Sequence, residues 1–195
     1  MKFLKSELAL ILALFITLTY TAFATNSYQQ ISNKVIRFHI LANSDTDFDQ
    51  QLKLDVKDQV FAYISDLTAN CDTTEQAFEI ISQNIEEINT LSSQIIAQKG
   101  YSYLATTTLD YEFYPQKSYD DFSLPSGYYT GIKIEIGQSE GHNWWCVLFP
   151  PLCNQTAYDT KNLNSDDLDL ISSQDYEFRF KFVDIFSQIK HQIND

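Results

Sequence analysis

The sequence predicts an α+β fold: an antiparallel sheet with two consecutive amphipathic helices packed on it. Two apolar series recur at helical spacing, Phe48, Leu52, Val56, Val60, Ile64 and Leu67, then Phe78, Ile81, Ile85, Ile88, Leu91 and Ile95. Two later stretches alternate instead with a period of two, Tyr101 to Phe113 and Tyr128 to Ile136, as half-buried strands do. In a third, Trp144-Trp145-Cys146-Val147-Leu148-Phe149, both faces are apolar, which places that strand inside a sheet.

The chain opens with Lys2 and Lys5, an apolar run from Leu8 to Leu18, and Ala22-Phe23-Ala24. The run is short for a bilayer span and the small residues suit signal peptidase, so residues 1–24 read as a signal peptide cleaved after Ala24. An uncleaved membrane anchor is the alternative. A polar lead occupies residues 25–34, and residues 35–195 form one domain with few glycines and prolines. The whole chain carries a net charge of −13. Losing Lys2, Lys5 and Glu7 makes the exported form −14, which disfavours nucleic acid and anionic membranes and favours a basic protein surface.

The domain begins with a strand, Val35 to Ala42, on which Arg37 and His39 share one face. Asn43-Ser44-Asp45 stops it, and Asp45, Asp47 and Asp49 then favour a helix N-terminus with Phe48 starting its apolar stripe. Thr73 or Thr74 opens the second helix with Glu75 and Gln76 as a capping box, and Lys99-Gly100 closes it. Three consecutive strands follow as a meander, separated by a loop from Pro115 to Gly127 and a turn from Gly137 to Gly141. On the last strand Trp144, Cys146 and Leu148 face one side, and Trp145, Val147 and Phe149 the other. One tryptophan is therefore core, and the other is an anchor for a partner on the far face. Beyond a polar acidic segment, Asn154 to Asp175, a closing element from Tyr176 to Ile193 is strand-like and then helical.

Cys146 and Cys153 either form a disulfide or pack as buried thiols, because a bridge demands that the chain reverse at Pro150-Pro151; Cys71 is left free. The carboxylates of Asp45, Asp47 and Asp49 imitate a calcium loop but lack its glycine and closing glutamate. His39, His142 and His191 stand at no metal-ligand spacing, so neither a metal nor a cofactor is expected. The sequence lacks a nucleophile elbow, a phosphate loop and a dinucleotide fingerprint, which leaves only a Cys/His hydrolase as an enzymatic alternative. An Asn154-Gln155-Thr156 sequon matters only in a glycosylating pathway.

Taken in order, Arg37 to Asp45, Asp49 to Asp58, Leu124-Pro125-Ser126-Gly127-Tyr128 and Gly141 to Cys153 resemble the stage II sporulation protein R family of endospore-forming bacteria. The resemblance implies a signal rather than an enzyme: a protein exported from the forespore into the space between the two sporulation membranes. Its implied partner is the membrane-embedded aspartic protease of the mother cell, which processes pro-sigma-E; no small-molecule substrate is implied. The candidate partner-contact residues at the surface are Arg37, His39, Asn43, Asp45, Asn143, Trp144 and Trp145. A passive exported binding module is the remaining alternative.

Overall fold

The computed structural model describes residues 2–119 and 122–152. Cys153, the Asn154 sequon, the acidic segment and the closing Tyr176–Ile193 element lie outside the described residues. The α+β class is as the sequence predicts. A helix α1, Lys2–Ser32, leads into strand β1, Ile36–Leu41, and helix α2, Asp47–Thr68. Helices α3, Thr74–Gln83, and α4, Ile85–Gln98, follow. Strands β2, Ala105–Tyr114, β3, Lys117–Ser118, β4, Ser123–Leu124, β5, Gly127–Ile136, and β6, Asn143–Phe149, complete the described chain.

Contacts divide the chain into two units. One comprises residues 1–31, 113–127 and 168–195, the other residues 32–112 and 128–167. In the first, α1 exposes Leu8 through Leu18, and β3 pairs antiparallel with β4 inside what the sequence presents as a loop. Among the described residues no helix is long and apolar enough to cross a membrane.

The second unit holds the sheet, and the sheet departs from the expected topology. Its order is β2-β5-β1-β6, with β1 parallel to β5 and antiparallel to β6. It is mixed rather than antiparallel, and the three late strands are no meander because β1 inserts between β5 and β6. The reason is burial: Phe38 and Ile40 are wholly inaccessible, and a strand apolar on one face gains most with neighbours on both edges. Leu104 C=O accepts from Gly137 N–H at 2.9 Å while Tyr111 stacks on Tyr128 further along, so β2 runs antiparallel to β5.

Helices α2, α3 and α4 supply the other half of the core. Leu52, Val56, Val60 and Ile64 of α2, Ile81 of α3 and Ile88, Ile95 and Ile96 of α4 join Phe38, Ile40, Ile132, Ile134, Cys146 and Leu148 of the sheet. The expected second helix is broken in two at Asn84, which leaves helical geometry at φ −108° and donates its side-chain amide to Ile80 C=O at 2.7 Å. Thr73 caps α3 by accepting from Gln76 N–H, as the capping box predicts in part.

Two expected core residues lie elsewhere. Phe48 is 78% exposed, and the adjacent Asp49 takes the inward position at only 4% exposure. Phe78 is likewise 43% exposed, with Ala77 buried beside it. On β6 a register shift between Ile36 and Arg37 pairs Ile36 with Phe149 and Arg37 with Val147. That bulge returns Phe149 to the core side with Leu148, against strict alternation. The chain then turns at Pro150-Pro151, and the Phe149–Pro150 peptide is cis.

Candidate functional site

The candidate residues fall into three places in the second unit. Arg37 and His39 project from β1 to the sheet face opposite the helices. Register sets His39 between Trp145 of β6 and Lys133 of β5. The His39 ring stacks on Trp145, centroids 4.4 Å apart and planes inclined by 15°, and its Nε2 lies 2.9 Å from Glu112 Oε1. The Arg37 guanidinium sits 5.0 Å from the Tyr129 ring and 6.0 Å from that of Trp145. Lys133 extends the network to Glu112 and Glu135 at 3.8 and 3.6 Å.

Arg37 and His39 were expected at the surface and are instead buried, at 0% and 6% exposure. Strand alternation gives the face of a side chain but not what covers that face. These two residues therefore shape and position Trp145 rather than present charge. The tryptophans take opposite faces, as predicted, but Trp144, also expected at the surface, packs on the core. Trp144 joins the core cluster edge-on to Phe38 with Lys57 Nζ 4.9 Å above its ring, and Trp145 takes the far face.

The second place is the rim where β1 ends and α2 begins. Asn43 and Ser44 donate to Asp49 Oδ2 at 2.8 and 2.6 Å, and Thr46 caps the helix by accepting from Asp49 N–H. Burial raises the Asp49 pKa, yet hydrogen bonds from Asn43, Ser44, Tyr103 and Thr46 outweigh it and hold the carboxyl below its usual range. Across the rim, the β5–β6 turn closes onto the same residues. Asn43 Oδ1 accepts from Gln138 N–H at 3.0 Å, and Ala42 C=O from Gly141 N–H at 3.0 Å.

Asp45 accepts from His142 N–H at 2.6 Å, and His142 Nδ1 lies against the same oxygen. The backbone bond, then the ring bond, lowers the Asp45 pKa. Lys53, 5% exposed, donates to His142 C=O and Gln50 Oε1 at 2.8 and 2.6 Å. Desolvation lowers its pKa, and the charge of Asp45 partly opposes that. Asn143 is exposed at the tip of β6, opposite Leu41.

Asn143 is thus brought beside Asn43 and Asp45, which lie about a hundred residues earlier in the sequence, while Arg37, His39 and Trp145 form a separate group on the sheet face. Sequence reasoning missed the buried Asp49 and Lys53 and the exposed His142 as ties of the rim, and Glu112 and Lys133 as partners of His39. The signal available was the aspartate-lysine spacing on α2, which also reads as ordinary helix charge. Cys146 is buried and disulfide-bonded, and Cys71 is a buried free thiol. Cys153, the expected partner of Cys146, lies outside the described residues. Among the described residues no group of three or more His, Cys, Asp or Glu side chains is placed to hold a metal ion.

All seven candidate residues fall within residues 32–159, the stretch that matches the sequence model of stage II sporulation protein R, spore_II_R. The chain belongs to the stage II sporulation protein R family. One curated relative, the stage II sporulation protein R of Bacillus subtilis strain 168, is 37% identical over 123 residues. The alignment covers 63% of this chain and 55% of that relative, so the chain spans little more than half the relative's length. No solved structure matches significantly. The family match begins at Ser32, beyond the apolar N-terminal run, and includes both motifs that meet at the rim.

Proposed function

We propose that this chain is an exported sporulation signal. Released from the forespore into the intermembrane space, it binds the membrane-embedded aspartic protease of the mother cell and shifts that protease toward its active state, and pro-sigma-E is processed. A ligand shifts such an equilibrium only through different affinity for the two states, so the protein needs a well-formed surface and no chemistry of its own. The observation carrying this reading is the convergence of two distant family motifs on one rigid rim with exposed Asp45, His142 and Asn143. The hydrolase alternative needs a thiolate, and Cys146 is buried and bridged.

The test is coexpression of the exported protein with the protease and pro-sigma-E. Processing is expected only when all three are present and this chain carries its export signal. Exported, folded protein that leaves the substrate intact beside demonstrable protease would sink the reading in favour of a passive binding module.

A further inference from the structure

The residues that contradict the amphipathic pattern of α2 stand beside the rim. Phe48 is 78% exposed although it lies in the helix's first turn, because Asp49 holds the inward position through four side-chain partners. Leu104, just before β2, is 81% exposed. Tyr101 and Tyr103 join the two: the Tyr101 hydroxyl lies 3.5 Å from Phe48 C=O, the two tyrosine rings are 5.4 Å apart, and Tyr103 bonds Asp49. Leu104 C=O in turn accepts from Gly137, in the turn seated on Asn43.

Neither side chain stabilises the fold by burial where it stands, and the two segments that carry them are tied to each other through Tyr101 and Tyr103, an arrangement suited to an interaction surface. Asp47, next to Phe48 in the chain, and Asp45 and Glu140 at the rim are exposed. The nearby cations are engaged, Lys53 inside the rim and Lys99 with Asp55 at 2.6 Å. The local field therefore has the sign of the whole molecule, and a basic partner would gain both attraction and encounter rate.

We propose that Phe48 and Leu104, flanked by Asp47, form the docking surface for a protein segment that presents an apolar side chain next to lysine or arginine. Resting on the function proposed above, this assigns the surface to the extracytoplasmic part of the protease. An anionic lipid surface fits poorly, since the same carboxylates repel it.

The variant Phe48→Ser/Leu104→Ser alters only exposed side chains and should keep its circular dichroism and melting temperature. In the coexpression assay it should cut processing by at least about tenfold, the loss of two interface anchors. Asp47→Lys should do so by several-fold. Phe78→Ser, a matched exposed aromatic on α3, should process as wild type. Wild-type processing by the folded double variant, or equal loss from Phe78→Ser, would overturn the surface while leaving the activation reading intact. If wild-type protein itself gave no processing, activation would fall, and the surface would be judged by crosslinking: benzoylphenylalanine at position 48 or 104 that joins the protease supports it, and no crosslink from either overturns it. Phe48-dependent binding to vesicles of anionic phospholipid would also overturn it, in favour of a membrane surface.

Discussion

At the scale of single residues, the rim depends on close approaches that leave no room for a side chain. A Cβ on Gly141 would stand 2.3 Å from Ser44 C=O, a backbone atom that cannot swing aside. Gly141→Ala should therefore part the β5–β6 turn from the start of α2 and cost about 1 to 3 kcal/mol in urea unfolding. A penalty under about 0.5 kcal/mol would mean that the turn relaxes freely. Asp49 carries the opposite kind of constraint, a buried charge made tolerable by its donors. Its native pKa is depressed, so its contribution is present above the ordinary carboxylate range and lost as pH falls through the native value. Asp49→Asn should lower stability at neutral pH by about 1 to 3 kcal/mol and flatten the loss of stability on going from about pH 5 to pH 3. An unchanged acid slope would place that titration elsewhere.

At the scale of elements, β1, β5, β6 and the N-termini of α2 and α3 were legible because period and capping are local signals. Strand order was not. The parallel β1–β5 pairing joins residues such as Phe38 and Ile132, and nothing in either strand's own pattern selects that neighbour over another. The break at Asn84 escaped detection because the apolar period runs through it without interruption. Phe48 and Asp49 were transposed for a related reason: the period puts Phe48 inward, but polar ties from Asn43, Ser44 and Tyr103 rotate the assignment, and such ties are tertiary. Adjacency on β6 did locate the two tryptophans on opposite faces. Trp144→Ala should accordingly destabilise the fold by about 2 to 4 kcal/mol, and Trp145→Ala, measured beside it by circular dichroism, should lower processing by more than its smaller loss of stability explains. Equal effects of both on folding would assign Trp145 a packing role alone.

At the scale of the whole molecule, the acidic charge and the N-terminal helix bear on export. The side chains from Leu8 to Leu18 along α1 are largely apolar, and the large ones are between 57% and 71% exposed. A patch of that extent is a liability on a protein released into water and is suited to a segment meant for the export machinery and its membrane. The buried core cluster of the second unit begins at Ile36, so it includes nothing that cleavage after Ala24 would remove. Exported protein should therefore have an intact mass beginning at Thr25. It should also be two hydrogens lighter than its reduced form, because Cys146 is disulfide-bonded. A version lacking residues 1–24 should show a cooperative thermal transition. Its charge of −14 should make its association with a basic partner weaken as salt shortens the Debye length to about 3 Å near 1 M. Recovery of the protein only in membranes with Met1 in place would show that the helix is kept as an anchor, and the signal would then act from the forespore membrane surface.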